Sequence, residues 1–198
     1  MSVTELRKEQ NGARPAVGRA FSSRTAQIKL PGLRAQVIFW SVIVFGVALD
    51  LWSKTAVFSW LERQPDNRFT IVDGFLYVVM ALNEGAAFGM ATGQRCLLVA
   101  ISAIAVVAIL SVFLSSGTRP RLIHVALGLF AAGICGNLYD RVFNEGLVRD
   151  FIDVVYWPGR HWPAFNIADS MLCIALGLLI VSSLLTGKSS RKHAQRHK

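Results

Sequence analysis

Four long apolar runs, separated by polar segments, organise this sequence. The run between Arg95 and Arg119 has 23 uncharged residues and can cross a bilayer alone, since about 20 apolar residues span the hydrocarbon core. The other runs have 15 to 18 uncharged residues, so each reaches that length only if its helix includes an acidic residue near one end. The pattern predicts one four-helix membrane domain over 34–187. Its transmembrane helices are expected at 35–58, 96–116, 122–142 and 164–186.

The two longer connecting segments carry signals of their own. Residues 69–82 are rich in Val, Ile, Phe, Tyr and Leu and are interrupted by an Asp-Gly pair, a composition that favours one or two short strands. The segment 143–163 contains aromatic residues that suit the headgroup level of a membrane. The predicted fold is therefore an all-α membrane protein with a small extracytoplasmic β-sheet.

Basic residues determine the expected orientation. Lys and Arg number 21 against 12 for Asp and Glu, and they concentrate in 1–33, around Arg119 and Arg121, and in 188–198. Because cytoplasmic segments of membrane proteins carry the excess positive charge, we expect both termini in the cytoplasm. The basic tails are then expected to contact membrane lipids, and no nucleic acid partner is needed to explain them. The N-terminal extension, 1–33, is polar and is expected to be disordered.

Two aspartates at the outer ends of predicted helices are the main candidates for chemistry. Asp140 ends the third helix and Asp169 begins the fourth, so the topology brings both to one face at similar depth. Each follows an asparagine by three positions, Asn137 and Asn166, which places each pair on one helix face. Acidic residues in membrane helices are costly and usually face a bundle interior or an aqueous cavity. The two pairs therefore predict a functional site.

A close pair of carboxylates cannot easily carry two negative charges, so one member holds a proton while the other acts as a base. Such a base can activate water against a carbonyl without any covalent intermediate. The pattern thus indicates aspartic-protease chemistry without a cofactor. An acidic residue of the first helix, Asp50, precedes Lys54 by four positions and predicts an ion pair that is neutral within the membrane.

Other catalytic patterns are missing from the sequence. It contains no HExxH motif for zinc, no GxSxG elbow and no P-loop. The three cysteines, Cys96, Cys135 and Cys173, fall within apolar runs and have no metal-ligand spacing. We therefore expect no metal site.

Five sequence blocks together resemble the lipoprotein signal peptidases. Four of them are Asn83-Glu-Gly-Ala-Ala-Phe-Gly89, Gly136-Asn-Leu-Tyr-Asp-Arg141, Val148-Arg-Asp-Phe151 and Phe165-Asn-Ile-Ala-Asp-Ser170. The fifth is the Asp50 and Lys54 pair. The blocks occur in the order and spacing of that family and cover nearly the whole predicted membrane domain.

The resemblance implies a bacterial inner-membrane aspartic endopeptidase that removes signal peptides from diacylglyceryl-modified prolipoproteins, cutting before the lipidated cysteine. It implies that Asp140 and Asp169 form the catalytic dyad at the outer face, beneath a mobile cover loop that we place at 59–68. We expect the enzyme to be a monomer. Further residues are expected to shape the site or hold the substrate: Asp50, Lys54, Asn83, Gly85, Asn137, Arg141, Asp150, Asn166 and Ala168.

Two other interpretations of the sequence remain open at this point. A presenilin-type intramembrane protease also uses two helix-borne aspartates, but no Gly-x-Gly-Asp motif is present and nine spans would be expected. A proton-coupled transporter or channel subunit would use Asp50, Asp140 and Asp169 as a relay. Such a relay should cross the membrane, whereas these acids cluster near one face. The asymmetry favours a hydrolase.

Overall fold

The computed structural model describes residues 30–86, 90–117 and 119–195, with side chains as far as residue 185. Four helices in these ranges are long and apolar enough to cross a membrane, which confirms the predicted membrane helices. The greater part of the predicted N-terminal extension, 1–29, lies outside the described residues. The helices are α1 (Leu33–Leu61), α2 (Arg95–Leu114), α3 (Arg121–Phe143) and α4 (Ile167–Gln195).

Helix α3 lies at the centre of the bundle and packs against each of the other three helices. Glycines on α3 permit this close approach. A Cβ atom at Gly133 would lie 2.6 Å from the Ala168 carbonyl oxygen, and one at Gly136 would overlap the Asp50 carboxylate. The glycines therefore bring α1 and the first turn of α4 against the same stretch of α3.

The apolar core fills the end of the bundle where α1 and α3 begin. Phe39 of α1 and Phe113 of α2 stack with ring centroids 3.8 Å apart, and Leu127 and Ala131 of α3 complete the cluster. The opposite end, where α1 and α3 finish and α4 starts, carries the sheet and most of the buried charged side chains. Apolar packing and polar chemistry thus occupy different ends of the domain.

An antiparallel sheet lies at this polar end, with its strands in the order β1 (Arg68–Val72), β2 (Leu76–Asn83), β3 (Val148–Trp157) and β4 (Arg160–His161). Strands β1 and β2 confirm the strands expected at 69–82. The segment 143–163, expected only to supply interfacial aromatics, contributes strand β3 and the short strand β4.

The fourth helix differs from its predicted bounds at both ends. It begins at Ile167 instead of 164, because Phe165 is bridged to Ile152 of β3 and Asn166 caps the helix. It continues to Gln195, past the position where we expected the basic tail to start. The late start fixes the first turn of α4 against the sheet, and this turn carries Asp169.

Candidate active site

A buried ion network joins α1, α3 and α4. Lys54 lies 2.8 Å from the Asp50 carboxylate and 3.3 Å from the Asp140 carboxylate, and all three side chains are fully buried. Lys54 also donates a 2.9 Å hydrogen bond to the Asn137 amide oxygen. The other Asp50 oxygen accepts a 2.8 Å hydrogen bond from the Ala168 backbone N–H. The expected Asp50 and Lys54 pair is present, and with Ala168 it connects three helices.

Both oxygens of Asp140 are occupied by donors from β3 and α1. The Arg149 guanidinium Nη2 lies 2.7 Å from Asp140 Oδ1, and the Arg149 backbone N–H donates a 3.0 Å hydrogen bond to Oδ2. Lys54 approaches the same Oδ2. Asp140 contributes nothing to the cavity wall described below. The geometry therefore does not favour the expected pairing of Asp140 with Asp169, because Asp140 is enclosed and its negative charge is balanced by Arg149 and Lys54.

Asp150 and Asp169 are the aspartates that line a common cavity of about 1200 Å³. Asp150 lies on β3, directly after Arg149, and is buried, while Asp169 lies in the first turn of α4 and is partly exposed. Successive residues of a strand point to opposite faces. Arg149 therefore faces Asp140, and Asp150 faces the cavity.

Asn166 connects these two carboxylates directly. Its Nδ2 donates a 2.6 Å hydrogen bond to Asp150 Oδ1, and its backbone N–H donates a 3.2 Å hydrogen bond to Asp169 Oδ2. In return, the Asn166 Oδ1 accepts a 3.0 Å hydrogen bond from the Asp169 backbone N–H, which is a reciprocal helix cap. The same three-position spacing that starts α4 thus holds both carboxylates around one amide.

Asn137 completes the amide bridge from α3. Its Nδ2 donates a 2.8 Å hydrogen bond to Asp169 Oδ1, and its Oδ1 accepts a 3.0 Å hydrogen bond from Asn166 Nδ2. That same oxygen accepts the hydrogen bond from Lys54. Asn137 therefore links the buried ion network to the cavity.

The Asn83 block forms a further part of the wall. Asn83 Nδ2 donates a 3.0 Å hydrogen bond to Asp150 Oδ2, and Asn83 Oδ1 accepts a 2.9 Å hydrogen bond from the Gly85 N–H. Arg141 Nη2 donates a 2.9 Å hydrogen bond to the Gly85 carbonyl oxygen. The structure thus brings Asn83, Gly85 and Arg141 to the same cavity, where the sequence motifs predicted a site.

The rest of the cavity wall is largely apolar. Helix α4 contributes Leu172, Cys173 and Ile174, of which Ile174 is 55% exposed on the outer surface of the bundle. The expected cover segment, 59–68, contributes no residue to the wall. The wall on the loop side comes instead from the connection between β2 and α2, so the placement of the cover at 59–68 is not supported.

Burial is the main influence on Asp150. It raises the pKa of the Asp150 carboxyl from 3.8 to about 6, and the negative charge of Asp169 acts in the same direction. Hydrogen bonds from the Asn83 and Asn166 amides oppose this increase but do not cancel it. Asp150 is therefore a carboxyl group that can hold or release a proton near neutral pH.

Metal binding is not indicated in the described ranges. No group of three or more His, Cys, Asp and Glu side chains in them is arranged to hold an ion. The carboxylates of Asp150 and Asp169 instead accept hydrogen bonds from amide donors. The arrangement suits proton transfer to and from water.

Arg149 was not among the residues predicted from the sequence, and Asp150 was expected only to shape the site or hold the substrate. The signal was present, because Arg149 stands beside Asp150 in one of the quoted blocks. An arginine beside one of two nearby carboxylates indicates that an ion pair will neutralise one of them. The sequence alone does not show which carboxylate this is, because the answer depends on the face of β3 from which the arginine projects.

Comparisons with known proteins show the family of this chain. The family described as signal peptidase (SPase) II matches residues 42–185. A lipoprotein signal peptidase of Rhodopirellula baltica is 38% identical over 162 residues, covering 74% of this chain and 71% of that protein. The lipoprotein signal peptidase of Bacillus pumilus is 33% identical over 156 residues, covering 78% of this chain and 98% of that protein.

Two solved structures are similar to this chain in fold. A bacterial membrane enzyme structure at 2.3 Å resolution has a TM-score of 0.67 and 31% sequence identity, and the alignment covers 82% of this chain and 94% of that chain. A second such structure, at 1.9 Å resolution, has a TM-score of 0.63 at 31% identity and covers 79% and 97%. The family match over most of the chain and the two similar peptidases show that this chain belongs to the signal peptidase II family of aspartic peptidases.

Proposed function

We propose that this protein removes the signal peptide from diacylglyceryl-modified prolipoproteins, cutting before the lipidated cysteine, and that Asp150 and Asp169 form its catalytic pair. The observation that carries the proposal is one cavity that both carboxylates line, with Asn166 donating a hydrogen bond to each. This pairing replaces the Asp140 and Asp169 pair expected from the sequence.

The charges around the cavity support a pair that shares one proton. Asp50 and Asp140 are balanced by Lys54 and Arg149. Arg141 remains as the buried positive charge beside Asp150 and Asp169. With a single proton on the Asp150 and Asp169 pair, this pair and Arg141 together carry no net charge. This lowers the free-energy cost of burying them.

The geometry supports Asp150 as the proton holder and Asp169 as the base. Asp169 lies in the first turn of α4, where the helix dipole stabilises negative charge, and it accepts hydrogen bonds from Asn137 and from the Asn166 backbone. Burial favours the neutral form of Asp150.

Cleavage follows from this arrangement. Asp169 takes a proton from water as the water oxygen attacks the scissile carbonyl carbon. Asp150 donates its proton toward the developing oxyanion, and a proton then passes to the amine nitrogen as the C–N bond breaks. The products are a carboxylic acid and a free amine, and no covalent enzyme intermediate forms.

The apolar wall supports a lipidated substrate. Leu172, Cys173 and Ile174 lie on the part of α4 that follows Asp169, so this side of the cavity continues toward the lipid-facing surface of the helix. Acyl chains attached next to the scissile bond can lie along this wall while the peptide reaches the carboxylates. The sheet contributes Ala81, Leu82 and Val148 to the other side of the cavity.

We also propose that the carboxylates lie at the outer face of the plasma membrane, with both termini in the cytoplasm. Basic residues flank the opposite end of the bundle, at Arg119, Arg121 and the terminal segments, which supports this orientation. The expected monomeric state stays a prediction. Cysteine labelling from each side of oriented vesicles tests the orientation.

Cleavage in detergent tests the proposed activity. Purified protein should convert a diacylglyceryl-modified prolipoprotein and leave the unlipidated form intact. Asp169→Asn should abolish cleavage, whereas Asp153→Asn should retain it, because Asp153 lies on β3 but pairs with His161 outside the cavity. Equal cleavage of both substrates, or cleavage by the folded Asp169→Asn variant, would overturn the proposal.

A further inference from the structure

Arg149 is held by several contacts at one point of β3. Its side chain reaches Asp140 Oδ1 through Nη2 at 2.7 Å and through Nε at 3.2 Å, and its Nη1 donates a 3.2 Å hydrogen bond to Thr55 Oγ1. Its backbone N–H donates to Asp140 Oδ2 at 3.0 Å. A planar guanidinium that meets a carboxylate with two donors is held more rigidly than a point charge such as lysine. Arg149 therefore anchors β3 to both α1 and α3.

This anchor is adjacent to the proposed proton holder. Asp150 is the next residue, and its side chain points to the cavity while that of Arg149 points away from it. The contacts of Arg149 thus fix the backbone from which Asp150 projects. A shift of β3 would change the distance between Asp150 and Asp169 without altering either residue.

Arg149 also changes the charge near Asp150. The ionisable side chains around Asp150 come from every neighbouring element, and together they set its protonation. Without Arg149, the Asp50, Lys54 and Asp140 group would carry one net negative charge. The ionisable side chains around Asp150 are Asp50 and Lys54 of α1, Asp140 and Arg141 of α3, Asp169 of α4, Glu84 after β2, and Arg149 itself.

We propose that Arg149 is a positioning residue for the peptidase reaction, which fixes Asp150 against Asp169 and cancels the charge of Asp140 behind the catalytic pair. The inference rests on the proposed function, because it assumes that Asp150 and Asp169 act together. It assigns two separable tasks to one side chain: geometry, through the paired hydrogen bonds, and electrostatics, through the positive charge. Each task has its own experimental signature.

The test measures kcat, KM and the pH profile of cleavage for a set of variants with the lipidated substrate. Arg149→Met removes both tasks, and Arg149→Lys keeps the charge but loses the paired geometry. The double variant of Arg149→Met with Asp140→Asn loses the geometry but restores a neutral group. Arg160→Gln is the matched control, because Arg160 lies exposed on β4 and contributes nothing to the cavity.

Arg149→Met should lower kcat at least about tenfold and change KM less than about threefold, since the substrate wall is intact and the reacting groups are displaced. Its pH profile should move to higher pH by about half a unit or more, because an added negative charge opposes ionisation of the pair. Arg149→Lys and the double variant should both have a low kcat but a wild-type pH profile. Arg160→Gln should match wild type in both.

Three outcomes would overturn the inference. Folded Arg149→Met could cleave with the wild-type kcat and pH profile, or the double variant could keep the displaced profile, or a lower melting temperature could be the only change. If Arg149→Met does not fold, Arg149→Lys and the double variant still separate geometry from charge. Failure of wild-type protein to cleave the lipidated substrate would instead overturn the proposed function, so the two failures are distinguishable.

Discussion

Replacing Asp150 with asparagine should change how stability depends on pH. Asp150 is 2% exposed and its pKa is raised from 3.8 to about 6, chiefly by burial. In the unfolded chain the same carboxyl has its ordinary pKa. Folding therefore favours the protonated form, and the neutral asparagine cannot contribute this proton-linked stability.

The direction follows from the raised pKa. Stability from this group is fully present below pH 3.8, where the carboxyl is protonated in both states, and it is lost as the pH rises through about 6. The full difference of about two pKa units corresponds to about 3 kcal/mol, at about 1.4 kcal/mol for each unit. Most of it, about 2 kcal/mol or slightly more, lies between pH 4 and pH 8. Wild type should lose this amount over that interval, and Asp150→Asn should not.

Thermal unfolding in detergent at a series of pH values measures the effect. The difference between wild type and Asp150→Asn cancels the titration of the groups that do not interact with Asp150. The absolute stability at any one pH is less informative, because the new amide meets the donating amides of Asn83 and Asn166 and loses a hydrogen bond. Asp66→Asn is the control, since Asp66 is exposed with a φ of 57° that asparagine adopts readily.

The expected difference in melting temperature between the two proteins changes by several degrees from pH 4 to pH 8. The Asp66→Asn control should follow wild type throughout. A constant difference between wild type and Asp150→Asn across this range would refute the reasoning, because it would mean that Asp150 titrates alike in the folded and unfolded chain.

Other predictions concern the supports of the site. Lys54→Met should destabilise the protein by about 3 to 5 kcal/mol, seen in thermal unfolding, because it leaves buried carboxylates without their cation. Gly136→Ala should lower the melting temperature, because its Cβ overlaps the Asp50 carboxylate, whereas Gly177→Ala should not, because nothing lies within 4 Å of a Cβ there. A membrane-permeant maleimide should block cleavage by reacting with Cys173 in the cavity wall; a Cys173→Ala variant that keeps Cys96 should remain active after the same treatment.

The membrane helices could be predicted from the sequence because their signal is local. Run length and charge positions alone located all four helices to within a few residues at most ends. The end of α4, nine residues beyond the expected 186, was the exception; its start is three residues late because it depends on the pairing of Phe165 with β3 and on the cap at Asn166. Tertiary contacts, and not hydropathy, decide where that helix begins.

Strand β3 was missed for a related reason. Its sequence mixes apolar residues with three charged ones, Arg149, Asp150 and Asp153, and these charged side chains resemble a solvated connection. In the structure these side chains find partners on opposite sides of the strand, since Arg149 binds Asp140 and Asp150 accepts amide hydrogen bonds. The Pro-Gly turn at 158–159 was a usable signal for a hairpin.

The set of polar residues at the site could be predicted, but their division of labour could not. Asn137 and Asn166 come together as their shared spacing with aspartate predicted. The choice between Asp140 and Asp150 depends on which carboxylate forms an ion pair with Arg149. This depends on the face of β3 from which Arg149 projects. A transmembrane proton relay is not favoured either, because Asp50, Asp140 and Asp169 all gather at the end of the bundle that carries the sheet.

A comparison of Asp150→Asn with Asp140→Asn tests the central claim most directly. Single-turnover cleavage of the lipidated substrate is measured for both variants, with the folded fraction of each determined by size-exclusion chromatography and thermal unfolding. The assignment of Asp150 and Asp169 predicts no detectable cleavage by folded Asp150→Asn, and measurable cleavage for each folded molecule of Asp140→Asn. Cleavage by folded Asp150→Asn, with none by folded Asp140→Asn, would contradict it.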